Sequence, residues 1–297
     1  MLYDCIVVGG GPAGANAALV LGRAKLNVLL IDDDQARNKV THESHGFITN
    51  DRLSPAEIKK RAFNDLLKYP TIHPLMDHVE TIEDQGEFFT VKTTTQEFSA
   101  TRIVLAIGLK ETLPDIPGLS SLYGQSFFNC PFCDGWEMKD KKLGVIIEQE
   151  EFILHFVPMI FHWNQAITVL TNGISVNKEI KQRLNEKKIS LIEQPIQKIT
   201  NQGVYFTSDT KKIIDGGFVM PTFSVNTSFI QGFSLALNEF GRIATDDFGQ
   251  TSYPRIYAAG DSHAAFAEQL VHAASSGSKV ASGIVREIAF ANFGSFE

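Results

Sequence analysis

Cys130-Pro131-Phe132-Cys133-Asp134 carries the residue types best suited to chemistry in this chain of 297 residues. Two cysteines separated by two residues can close a small disulfide ring. Placement at the start of a helix lowers a thiol pKa and makes thiolate available near neutral pH. An acid directly after the second cysteine can hold or release the proton that such exchange moves. Half a zinc site and a pair of structural thiols are the other readings of the two cysteines. A zinc ribbon needs a second ligand pair, and the third cysteine, Cys5, sits in an apolar strand as a small hydrophobe.

The second run with chemical meaning is Gly9-Gly10-Gly11-Pro12-Ala13-Gly14. It follows an apolar strand read at residues 3–8 and opens an alanine-rich helix to about residue 23. A further apolar strand over residues 27–31 ends at Asp32. In this βαβ pattern Gly9 permits the tight turn and Gly11 lets backbone approach a pyrophosphate. Gly14 lets helix and strand pack closely. The helix N-terminus attracts the phosphates, and Asp32 is placed to accept from a ribose hydroxyl. A glycine turn without a ligand is the plainer alternative.

Other elements position these two runs. Residues 102–107 read as a strand running into Ala106-Ile107-Gly108, and residues 255–261 as another that stops at Gly260-Asp261. A helical run over about 268–288 follows. Ser54, Pro55 and Glu57 form a capping box for a scaffold helix whose apolar stripe is Ile58, Phe63, Leu66 and Leu67.

With these segments in view, the chain resembles the low-molecular-weight thioredoxin reductase family of flavoproteins, class II pyridine nucleotide-disulfide oxidoreductases. The resemblance covers nearly the whole chain. It implies an α/β, two-domain Rossmann-like flavoprotein with a discontinuous FAD domain, 1–114 and 242–297, around a smaller inserted α/β domain, 115–241. Asn238 to Arg242 and Leu113 to Gly118 are the expected hinges. FAD is the implied cofactor, held by Gly9, Gly11, Pro12, Ala13, Gly14, Asp32 and Asn38, with Ala106 and Gly108 beside it. Val79 is implied at the adenine, Gly260 and Asp261 at the ribityl and phosphate portion, and Gln269 and Leu270 at the isoalloxazine ring. By position, Cys133 is the flavin-facing thiol, Cys130 the interchange thiol and Asp134 the acid/base.

The run Cys-Pro-Phe-Cys-Asp-Gly-Trp-Glu is similar to a subgroup that includes dithiol oxidases closing disulfides in natural products such as gliotoxin. Thr41-His42-Glu43-Ser44-His45-Gly46-Phe47 looks like that subgroup too. A histidine there, His45, can relay protons between dithiol and flavin, or can simply bond loop backbone.

The inserted domain departs from the family. After a strand at residues 142–147 a second glycine fingerprint is expected, yet the chain reads Glu148-Gln149-Glu150-Glu151. Side chains block a pyrophosphate and the acids repel it, and no arginine cluster follows the next strand, 166–170. NADPH binding is therefore not expected. Residues 152–163 read as a core helix carrying Pro158; the sharper alternative is an aromatic surface for a second flavin, a lipophilic substrate or a partner. His155 and His162 lack a third ligand, so no metal site is expected.

Related proteins without the nicotinamide site include ferredoxin-fed and diflavin-linked disulfide reductases. The expected function is an FAD-dependent thiol–disulfide oxidoreductase working without NADPH. A ferredoxin- or flavin-fed reductase and a non-turnover redox sensor are the alternatives. The expected partner is a dithiol or disulfide, either a protein such as thioredoxin or a small molecule, with an electron-donor protein for the reductase reading. The resemblance implies a homodimer.

Composition narrows the classes. Hydrophobic residues make up 43% and charged residues 21%, with a net charge of -7. That balance suits a globular protein and disfavours nucleic acid. No apolar run is long enough for a membrane span, no signal-peptide pattern is read, and three cysteines with one CxxC suggest the reducing cytoplasm. No internal repeat is visible.

Overall fold

Apolar strands build the first layer, and three of them, Cys5–Val8, Ile103–Leu105 and Ile256–Ala258, run into turns that contain glycine. Residues 1–264 and 269–294 are described by the computed structural model. The chain forms two compact units: residues 1–39, 46–110 and 224–297, and residues 40–45 and 111–223.

In the first unit, Cys5–Val8 is buried at every residue, as expected of a strand covered on both faces. It pairs in parallel with Val28–Asp32 on one side and Ile103–Leu105 on the other. Ile72–Met76 and Ile256–Ala258 extend the sheet at its two edges. Helices Pro12–Arg23, Pro55–Leu66 and Leu270–Phe293 belong to the same unit. Gly277 shows how closely the first and last of these approach: a Cβ there would lie 1.9 Å from the Ala13 carbonyl oxygen. A second sheet, Leu2–Tyr3, Glu97–Ala100, Phe89–Thr93 and Val79–Asp84, shares a buried cluster with Ile6, Leu29 and Ile103.

In the second unit, Leu143–Ile146 pairs in parallel with Ile167–Leu170 and Gly216–Val219. Ser190–Ile192 and Phe127–Phe128 are its edges. An antiparallel meander, Ile196–Thr200, Gly203–Phe206 and Lys211–Lys212, lies in sequence between Ser190–Ile192 and Gly216–Val219. The first unit has the same plan, with its meander at Val79–Asp84, Phe89–Thr93 and Glu97–Ala100. The two units thus share a four-strand plan without a readable sequence repeat, because burial and pairing rather than residue identity define it; the fifth strand comes first in the second unit, Phe127–Phe128, and last in the first, Ile256–Ala258.

Several elements differ from the sequence expectations. The single strand expected over 3–8 breaks at Asp4, whose carboxylate accepts the Asn27 N–H at 2.7 Å. Leu2–Tyr3 then pairs with Ser99 and Ala100 in the other sheet. The chain passes between units at 110/111 and 223/224, earlier than the hinges expected near 114 and 242. Residues 224–241 join the first unit because Ile230 and Phe233 are buried with Phe89 and Ile243. Residues 40–45 join the second, where Gly124, at φ +77°, packs against Val40; a Cβ would lie 2.5 Å from the Val40 carbonyl oxygen. The helix at 55 is capped as expected, Ser54 Oγ accepting the Glu57 N–H at 3.2 Å. Leu67, however, is exposed rather than part of its stripe.

Helix Ile153–Trp163 contains Pro158 and buries Ile153, Phe156, Val157 and Ile160. Its apolar face is committed to the core of its own unit. Among the described residues no helix is long and apolar enough to cross a membrane, and no cluster of His, Cys, Asp and Glu could hold a metal ion.

Candidate active site

The glycines of the first turn leave a cradle. Gly9 has φ +101°, and a Cβ there would sit 2.3 Å from the Ala106 carbonyl oxygen. A Cβ on Gly14 would lie 1.8 Å from the Gly9 carbonyl oxygen, so the turn and helix close only around glycine. Gly11 is different: a Cβ there would meet nothing within 4 Å. Gly11 is also the N-cap of helix Pro12–Arg23 and offers no capping side chain. Its open face and the uncapped N–H groups of the first turn suit an anionic group.

Asp32 ends the second strand and is buried. One carboxylate oxygen accepts the Gly10 N–H at 2.9 Å, and the other forms an ion pair with Lys59. Lys59 also reaches Asp34; the sequence reading missed it because its helix is distant in the chain. Asn38 follows in a short 3-10 turn, Arg37–Val40. Val79 is buried at the start of its strand. Ala106 is buried behind the glycine turn, and Gly108 has φ +62°. Gly260 has φ +73° and opens the turn Gly260–Ser262, so Asp261 follows the strand as expected. Asp261 pairs with Arg37 at 3.0 Å. Next to it, His263 bonds Ser276 at 2.8 Å, and Ser276 accepts the Gly260 N–H at 3.0 Å. Gln269 stands at the N-cap position without a side-chain capping bond, and Leu270 begins the long helix; Glu268, expected to start it, lies outside the described residues. The open Gly11 face, the bare helix terminus and Asp32 fit the pyrophosphate and ribose of a dinucleotide such as FAD.

The second unit holds the disulfide. Cys130 and Cys133 are bonded, with Cα atoms 5.2 Å apart. Pro131 pre-sets the first helical position, and the helix is a single turn, Pro131–Asp134. Cys130 is its N-cap, and its Sγ accepts the Cys133 N–H at 3.1 Å. Such a donor would favour the Cys130 thiolate after reduction. Phe132 and Trp136 are 60% and 62% exposed. Phe132 makes an edge contact with Trp163, ring centroids 5.3 Å apart. By contrast, Cys5 is fully buried, and burial pushes its thiol up to about 12, which leaves it inert.

Asp134 is buried beside Cys133. Burial pushes its carboxyl up to about 7; His45 opposes the shift and the Glu137 charge adds to it. His45, expected near the redox centre, belongs to the same unit. Its Nε2 lies 3.4 Å from Glu43 and 3.6 Å from Glu137. His155 and His162 are both exposed.

The family model of pyridine nucleotide-disulphide oxidoreductases matches residues 3–151 and 160–277. The chain belongs to this family. It is 38% identical to a crystal structure of a Bacillus anthracis protein assigned as thioredoxin reductase TrxB. That match covers 97% of this chain and 98% of that one, with a TM-score of 0.93. Thioredoxin reductase sirT of Leptosphaeria maculans is 27% identical, covering 95% of this chain and 93% of that one. An Arthroderma benhamiae protein classed with the thioredoxin reductases is 33% identical over 192 residues, spanning 62% of this chain and about half, 47%, of its own length. This thioredoxin reductase-like oxidoreductase is a two-domain Rossmann-type flavoprotein in fold, and its family implies FAD binding.

Proposed function

We propose that the chain is an FAD-dependent thiol–disulfide oxidoreductase that exchanges electrons with the Cys130–Cys133 disulfide and draws none from NADPH. The observation that carries the second half lies at the turn after Leu143–Ile146. Glu148 accepts from the Asn172 amide at 2.6 Å, and Glu150 accepts the Asn177 N–H at 2.6 Å. These bonds stitch the first turn to the loop after the second strand, at the sheet edge where α/β folds receive nucleotides. A pyrophosphate would have to break both bonds and meet carboxylates instead of glycine N–H groups. The corresponding turn of the first unit is open at Gly11.

The chemistry then starts from the thiol side. A substrate thiolate attacks Cys130 Sγ, the Cys130–Cys133 bond breaks, and Cys133 leaves as thiolate. The second substrate thiolate attacks the substrate sulfur of the mixed disulfide and releases Cys130. The substrate dithiol loses two electrons and two protons, and the enzyme disulfide gains them as two thiols. Asp134, half-protonated near neutral pH, is suited to hold one of those protons at Cys133. Bound FAD supplies the two-electron acceptor that restores the disulfide. The exposed Phe132 and Trp136 suit an apolar dithiol, and the relatives named as thioredoxin reductases support a disulfide-forming or disulfide-cleaving exchange.

Stopped-flow mixing of the FAD-loaded protein with an excess of a small dithiol tests the exchange. Rapid bleaching of the flavin, lost in Cys133→Ser, is expected. Slow bleaching that is indifferent to Cys133 would instead favour a non-turnover redox sensor.

A further inference from the structure

His45 is held in an unusual way. Both ring nitrogens are buried, and neither makes a hydrogen bond. Buried polar atoms without partners are rare and call for a physical reason. The ring is nonetheless flanked by two carboxylates, Glu43 at 3.4 Å and Glu137 at 3.6 Å. The two carboxylates thus hold the ring at ion-pair range without hydrogen-bond alignment.

Glu137 stands three residues after Asp134, on the stretch that follows the disulfide turn. His45 comes from the separate segment 40–45. The charged groups acting on Asp134 are therefore His45 and Glu137. Helix Ile153–Trp163, packed against the disulfide turn, presents Trp163 at Gly135 and has its His155 and His162 exposed.

We propose that Glu137, with Glu43 as a second arm, is a positioning residue that holds the His45 ring in place, and thereby sets how readily Asp134 releases its proton beside Cys133. This deepens the thiol–disulfide reading and rests on it for its purpose, though not for its test. Two routes from Glu137 to Asp134 have opposite signs. Acting directly, a carboxylate repels the Asp134 charge and favours its protonated form. Acting through His45, it holds in place the ring whose charge favours the ionised form of Asp134. Removing Glu137 separates them.

The test is an infrared pH titration of the oxidised, FAD-loaded protein without substrate. The carboxylic-acid C=O band that disappears in Asp134→Asn reports the proton on Asp134. Glu137→Gln is expected to move its midpoint upward by about half a pH unit or more, roughly a threefold change in the ionisation constant. His45→Gln is expected to move it in the same direction. Adding Glu137→Gln to His45→Gln should give no further rise, because the route runs through the ring. A downward shift in Glu137→Gln would overturn the proposal in favour of direct repulsion, and no shift would overturn it outright. Because no turnover is measured, failure here is distinct from failure to oxidise a dithiol, which would instead strike the proposed function.

Discussion

Replacing Asp134 by Asn removes a proton site that burial holds at about 7, against an ordinary value of 3.8. The gap of about 3.2 units corresponds to roughly 4 kcal/mol at about 1.4 kcal/mol per unit. Its sign follows from linkage. The folded carboxyl binds its proton more tightly than the unfolded chain does, so stability is present at low pH and is lost as pH rises from about 4 through 7. Above that the loss is complete and level. Asparagine is nearly isosteric and carries no such loss. Between about pH 5 and about pH 8.5, Asp134→Asn should therefore gain about 2–3 kcal/mol of stability relative to the parent protein. Urea unfolding at matched FAD excess measures this. Both tryptophans, Trp136 and Trp163, lie in the same unit as Asp134, so their fluorescence reports the relevant transition. A stability difference that does not change with pH, or one that turns against Asp134→Asn above neutrality, would refute the reasoning.

Gly11→Val should leave the melting temperature of the FAD-free protein unchanged, because its Cβ meets open space. It should weaken FAD binding at least about tenfold, about 1.4 kcal/mol, in a fluorescence titration. Gly14→Ala should destabilise the fold itself by about 1–3 kcal/mol or more, since its Cβ would collide with the Gly9 carbonyl. Ser54→Ala removes the N-cap bond to Glu57 and should cost about 1 kcal/mol in thermal unfolding, with FAD affinity unchanged.

The chemistry-bearing runs were legible because their roles are local. The glycines, Asp32 and the Cys130–Cys133 pair all stand where the sequence pattern put them, since a turn or a four-residue ring leaves few alternatives. Features decided by distant partners were not legible. Ile230 and Phe233 look like ordinary inserted-domain residues until their burial with Phe89 moves the boundary back to 224. Segment 40–45 follows the first fingerprint in sequence yet joins the second unit through Val40 at Gly124. Lys59 carries no motif, and only proximity to Asp32 singles it out; Glu43 and Glu137 lie within motif-like runs, but their meeting at His45 was not legible. The break at Asp4 was hidden because Tyr3 and Cys5 are both apolar and both buried, in different sheets. The acids at 148–151 were readable as missing glycines; their bonds to Asn172 and Asn177 were not.

In the proposed function, electrons reach FAD from thiols and not from NADPH. An anaerobic titration of the FAD-loaded protein, with NADPH and a dithiol in parallel cells and the flavin absorbance followed, tests it most directly. The account predicts that the dithiol bleaches the flavin stoichiometrically while NADPH leaves it oxidised. Rapid bleaching by micromolar NADPH would contradict it.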